Sequence, residues 1–183
     1  MAPKLWRFLP VGDLLVDIVL SRDLDSPLLQ RELDAVNQWL QSNKLVHIMR
    51  DHPHHTMPML AGLWGIHTRL NRTFSQEFFG MILDKNLQQK YFGRFGDQKF
   101  LEHQIWPRIQ QHDSVAHDSF HCQTSVGKNR SQPWPTQRLE SNNQQINLFV
   151  GCYRPCSSHD KRLMIHQCPL ECRPKEHQDW IKC

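Results

Sequence analysis

Val16-Asp17-Ile18-Val19-Leu20-Ser21-Arg22-Asp23-Leu24-Asp25-Ser26-Pro27 holds the most strand-like run of the chain, and it stops on two aspartates two residues apart. A strand ending on Asp-x-Asp sets both carboxylates at its carboxyl tip, on one side of the pleat, because side chains alternate with period two. Two hard oxygen ligands there suit a divalent cation such as Mg²⁺ or Mn²⁺, and through it a diphosphate. The same residues also read as a strand running into a helix cap, with Ser26 capping and Pro27 at the first helical position. Residues 16–23 are mostly apolar rather than alternating, which predicts a buried, parallel-type strand. Leu29, Leu33, Val36 and Leu40 then mark one helix face, closed by Ser42-Asn43, and residues 45–50 form a second strand. Strand, helix, strand is the crossover unit of a parallel sheet.

Further along, residues 51–65 read as a loop, with helices over 75–91 (Phe78, Phe79, Ile82 and Leu83 inward) and 97–106, the latter stopped by Pro107. Short strands are expected at 114–120 and 146–150. The chain of 183 residues is long enough for one domain with a true core. Its hydrophobic share of 39% and mean hydropathy of −0.61 describe a polar chain. No run approaches the roughly 20 apolar residues of a membrane span. A net charge of +4, spread without blocks, favours anionic ligands weakly and lacks the basic footprint of a nucleic-acid binder.

Cysteine placement divides the chain. Cys122 stands alone, whereas Cys152, Cys156, Cys168, Cys172 and Cys183 crowd the end. That tail, residues 151–183, buries little core by itself, so disulfides and an oxidising compartment are the reading preferred over zinc held with His159, His166 and His177. The sequons Asn71-Arg72-Thr73 and Asn129-Arg130-Ser131 agree with a luminal or secreted setting. Residues 1–10 lack the apolar stretch of a secretion signal, which leads to the expectation that an amino-terminal part precedes this chain.

Four stretches besides the Asp pair hold chemistry. Arg50-Asp51-His52-Pro53-His54-His55 concentrates donors and metal ligands, or is a polar loop. Ala61-Gly62-Leu63-Trp64-Gly65 pairs glycines, which admit close backbone approach, with an indole for stacking, or is a turn with a core tryptophan. Asp97, before Gln98, caps a helix or serves as a general base. His117 completes a metal sphere or is a satisfied polar residue. Ser119 beside His117 and Asp118 is no hydrolase triad, since adjacent residues do not converge that way and no Gly-x-Ser-x-Gly elbow exists.

Read in order, Trp6-Arg7-Phe8-Leu9-Pro10, Ser21-Arg22-Asp23-Leu24-Asp25-Ser26, His47-Ile48-Met49-Arg50-Asp51-His52-Pro53, Gly62-Leu63-Trp64-Gly65, Gly96-Asp97-Gln98-Lys99-Phe100-Leu101 and His117-Asp118-Ser119-Phe120 resemble the nucleotide-diphospho-sugar transferase superfamily. The resemblance covers roughly residues 5–150. It implies an α/β chain: a partial A-type glycosyltransferase (Rossmann-like) mixed sheet flanked by helices over 1–150, followed by the Cys-rich tail. It implies Mn²⁺ or Mg²⁺ on Asp23, Asp25 and His117, with Asp97 as the catalytic base. Arg50, Asp51, Gly62, Trp64, Gly65 and Gln98 would contact substrate. The partners implied are a nucleotide-sugar donor and a glycan or protein acceptor, in the Golgi lumen or outside the cell. Relatives tend to read Gly-Gly-Met-Trp-Gly where this chain has Ala61-Gly62-Leu63-Trp64-Gly65. With few residues before Asp23 to hold a base and ribose, the alternative is a catalytically inactive, glycosyltransferase-like protein that binds glycan or a protein partner.

Overall fold

Apolar runs alternating with helical patterns build one mixed sheet in the computed structural model, which describes residues 2–109, 114–124, 127–128, 130–138, 148–153, 156 and 167–183. Its strands are β1 (Val19–Arg22), β2 (Val46–Arg50), β3 (Leu63–Ile66), β4 (Ser114–Asp118) and β5 (Ser131–Gln132), in the order β1-β3-β2-β4-β5. β3 runs antiparallel to both its neighbours, while β2, β4 and β5 are parallel. The crossover expected from β1 through α1 (Gln30–Gln41) to β2 exists, but β3 is inserted between the two parallel strands.

That insertion corrects three expectations. Residues 63–66 are a strand rather than part of a loop, because a Leu-Trp-Gly-Ile run buried throughout must satisfy its backbone in a ladder. β1 lies at the end of the strand order, so it alternates: Val19 and Ser21 face inward while Leu20 is exposed. Asp23 and Asp25 fall beyond it in a turn closed by Ser26 N–H donating to the Asp23 carbonyl, at 3.2 Å. Strand alternation therefore does not orient their carboxylates.

Both faces of the sheet are covered. On one, a 3₁₀ segment (Pro3–Gly12) and α2 (Arg72–Leu83) bring Phe8 and Phe78 to Trp64, with ring centroids 5.5 and 5.6 Å away. On the other lies α1, whose buried residues are Arg31, Glu32, Ala35, Val36 and Trp39. Leu33 is 52% exposed, so the buried stripe is rotated from the leucine face expected. Indole and guanidinium outcompete a leucine because each finds a partner inside: Trp39 Nε1 donates to the Lys44 carbonyl, at 2.8 Å. α1 ends as expected, with Asn43 in the left-handed region at φ 53°.

The helix expected over 75–91 is two, α2 and α3 (Lys85–Lys90), broken where Asp84 caps α3 through the Asn86 and Leu87 N–H groups. Phe78 and Ile82 point inward as expected, but Leu83 is 43% exposed. Pro107 does not stop the next helix. α4 (Gly96–Phe100) passes through a π turn at Leu101–Ile105 into α5 (Trp106–Ile109), the wider turn accommodating a ring that lacks an N–H. Of the strand expected at 146–150, only 148–150 are described, and they are not strand.

All six cysteines pair, as Cys122–Cys172, Cys152–Cys156 and Cys168–Cys183. No thiolate is left for zinc, and His159 and His166 lie outside the described residues. Pairing of this kind belongs to an oxidising compartment, consistent with a secreted or luminal protein. Among the described residues no helix is long and apolar enough to cross a membrane.

The Cys122–Cys172 bond closes a separation of 50 residues between the segment after β4 and the tail. Removing it as the Cys122→Ala, Cys172→Ala pair is expected to cost roughly 4 kcal/mol through the freed unfolded chain. Urea denaturation of the two proteins measures the difference.

Candidate functional site

The register of β1 on β3 sets Arg22 opposite Leu63, so the residues just outside, Asp23 and Gly62, also meet. A side chain at Gly62 would place its Cβ 2.2 Å from an Asp23 carboxylate oxygen, so this approach requires glycine. Arg7 reaches the same point from the 3₁₀ segment, its neighbour Phe8 being locked in the aromatic core. Arg7 Nη2 donates to Asp23 Oδ1 at 2.6 Å and to the Arg22 carbonyl at 2.9 Å, and Nη1 to Asp97 Oδ2 at 3.4 Å. Asp97 stands in the first turn of α4, and Gln98 beside it pins the facing loop. Gln98 Oε1 accepts the Ala61 N–H at 3.0 Å, and Nε2 donates to the Met59 carbonyl at 2.6 Å.

These groups line a cleft of about 620 Å³, together with Lys4, His55, Arg94, Phe95, Lys99 and Glu102. The Phe95 ring is 59% exposed, with the Arg94 guanidinium 5.3 Å from its centroid. The cleft thus offers two carboxylates that share one guanidinium, fixed amides and an open aromatic face.

Four of the expected site residues meet there: Asp23, Gly62, Asp97 and Gln98. The others do not. Asp25 is exposed in the turn and is not part of the cleft wall. His117, on β4, is separated from β1 by β3 and β2, roughly 14 Å at the usual strand spacing. Asp23, Asp25 and His117 therefore do not fit a single Mn²⁺ or Mg²⁺, whose ligands must lie about 2 Å from it. Arg7 already supplies a cation to Asp23. Among the described residues no three His, Cys, Asp or Glu side chains are grouped to hold a metal ion.

His117 instead forms a buried pair with His47, Nδ1 to Nε2 at 2.6 Å, with Gln38 and Gln132 at its other nitrogen. Burial, with Arg31 nearby, pushes the His117 imidazole down to about 3. Burial and then His117 push His47 well below its ordinary value. Both rings are neutral at neutral pH.

Arg50 and Asp51 are fully buried, so they serve the fold and not a substrate. Arg50 Nε donates to Asp118 Oδ2 at 2.7 Å, and Asp118 Oδ1 accepts the Phe120 and His121 N–H groups. Asp51 accepts five hydrogen bonds: two from Arg31 and one each from Arg138, Ser119 Oγ and the Val150 N–H. Burial alone would raise its carboxyl, but Arg138, Arg31, Ser119 and Val150 together hold it at about 2. Trp64 is in the core, and Gly65 lies under Leu20 and Trp39, where a Cβ would come within 2.6 Å of Leu20 Cδ2.

Two cleft residues are not among the site residues that the sequence pattern or the resemblance assigns. Arg7 sits in a largely apolar segment that also holds Lys4, and only its place in the Trp6–Pro10 motif distinguishes it. His55 belongs to the 50–55 stretch that reads either as metal ligands or as a polar loop, and here His52 and His55 each accept a backbone N–H at Nδ1, from His54 and from Asp51.

No protein-family model, curated protein or solved structure matches the chain.

Asp51→Ala leaves Arg31 and Arg138 buried without their carboxylate and is expected to cost about 3–5 kcal/mol, read as a lowered urea midpoint. Acid weakens the fold through the histidine pair. The unfolded chain takes protons near pH 6.5, before the native rings do. Stability is then full above about pH 6.5 and falls towards pH 3, by about 1.4 kcal/mol per pH unit per histidine. Urea midpoints at pH 7.5 and pH 5 measure this, and His117→Gln is expected to flatten the difference.

Proposed function

We propose that this chain is a glycosyltransferase-like module of the secretory pathway that binds a glycan in the Arg7–Asp23–Asp97 cleft. One observation carries the reading: charged side chains from three distant segments, residues 7, 23 and 97, converge on one cleft beside an exposed phenyl ring. Carboxylates accept hydrogen bonds from sugar hydroxyls, a guanidinium donates to them, and an aromatic face covers the apolar side of a pyranose. Few polar groups fixed in a concave, partly apolar wall suit small-ligand recognition. The three disulfides agree with a luminal or extracellular place of work, the Golgi being the compartment the resemblance implies.

A second reading, the metal-dependent transferase, has one observation in its favour. Asp23, Gly62, Asp97 and Gln98, all positions that the resemblance assigns to donor or acceptor, share the cleft. In that reading Asp97 would be the base towards an acceptor hydroxyl, the donor would be a nucleotide-diphosphate sugar, and Asp23, here paired with Arg7, would be the residue left to hold a Mn²⁺ or Mg²⁺ that neutralises the leaving diphosphate.

Calorimetric titration of the full chain separates the two. Saccharide binding that persists in chelator and weakens at least tenfold in Asp97→Asn is the expected result. Nucleotide-sugar binding that needs Mn²⁺, with no saccharide binding in its absence, would establish the second reading in its place.

A further inference from the structure

His55 contributes to the cleft from the loop after β2, and its two ring nitrogens have different fates. Nδ1 accepts the Asp51 N–H at 3.1 Å, so the ring must be neutral with its proton on Nε2. Asp51 is itself immobilised by its five hydrogen bonds, which makes the donor that selects this tautomer a rigid one. Among the described residues no hydrogen-bond acceptor faces the Nε2 proton. Burial and the neighbouring His52 push the imidazole down to about 3, so it stays a neutral donor across the physiological range.

Charge around the cleft is uneven. Arg7 is shared by Asp23 and Asp97, and the Lys4 ammonium donates to the Arg94 carbonyl. Arg94 and Lys99 are exposed and make no ion pair among the described residues, against one further carboxylate, Glu102. Four cations (Lys4, Arg7, Arg94 and Lys99) thus line the cleft against three carboxylates (Asp23, Asp97 and Glu102), an excess of one positive charge, and His55 lines the same space. A plain neutral sugar uses none of that positive charge.

We propose that the cleft selects an acidic saccharide, one bearing a sulfate or a uronate carboxylate that Arg94 and Lys99 receive while His55 Nε2–H donates a hydrogen bond to the same ligand. The inference rests on the saccharide reading above and adds the class of sugar. Charge-assisted bonds give the discrimination, and because the cations are exposed their contribution falls with salt.

The test titrates the full chain with three disaccharides: a sulfated uronate-containing one, its desulfated form, and neutral lactose. Both acidic disaccharides are expected to bind at least tenfold more tightly than lactose in 50 mM salt, with the ratio shrinking in 500 mM salt. If only the sulfated sugar shows the gain, sulfate is the group received; if both do equally, it is the carboxylate. The double reversal Arg94→Glu, Lys99→Glu is expected to bring the ratio near one. His55→Gln, which keeps an acceptor and an N–H, should retain acidic binding, whereas His55→Phe should lose at least fivefold when both are titrated at a temperature where their melts show them folded. Equal loss in both variants overturns the part given to His55. Lactose bound as tightly as the acidic sugars overturns the acidic preference and leaves the saccharide reading standing. No binding of any of the three overturns both.

Discussion

The buried carboxylate of Asp51 is the constraint on which the rest of the structure depends. It terminates β2 and gathers Arg31 from α1, Ser119 from beyond β4, Arg138 from beyond β5 and the Val150 amide. Removing several charges from water costs several kcal/mol for each ion, and only near-complete hydrogen bonding offsets that. Asp51 meets the condition, since both oxygens are occupied and Arg31 also lies 4.5 Å over the Trp134 ring. Four chain segments are thereby held at one end of the sheet. The adjacent pair Arg50 and Asp118 repeats the device one residue back.

The consequence for the cleft is direct. The Asp51 backbone N–H orients His55, and β2 fixes β3, whose first residues carry Gly62 against Asp23. From the other side, the aromatic layer of Phe8, Trp64, Phe78 and Phe100 holds the 3₁₀ segment that delivers Arg7. The cleft lies where these two rigid systems meet. Its polar groups are therefore positioned before any ligand arrives, which lowers the ordering cost of binding.

How legible this was depended on how local the deciding physics is. β2 and β4 are apolar runs ending in charge, and both appear where the sequence pattern puts them. β3 is hidden in the sequence because one of its residues and its flank look like loop: glycines at 65 and 62 suggest turns, yet here they are needed for contact with Leu20 and Asp23. The inward turn of α1 was hidden because Arg31 and Glu32 are charged, and only their distant partners Asp51 and Arg22 make burial tolerable. Of the site, Asp23, Gly62, Asp97 and Gln98 could be named in advance, but not that Arg7, 90 residues from Asp97, would stand between the carboxylates. His117 was read as a ligand for the same reason: its partner His47 is 70 residues away. Pairings over such distances leave no period or spacing in one sequence.

The proposed saccharide would lie in the cleft that Arg7, Phe95 and Asp97 line. Amide chemical-shift mapping of the isotope-labelled chain, saturated with the sulfated disaccharide, tests it most directly. Shifts concentrated at Gly62, Phe95, Asp97 and Gln98, with Leu33 and Gly80 unmoved, are the predicted result. Shifts scattered over the surface, or confined to residues remote from the cleft, would contradict it.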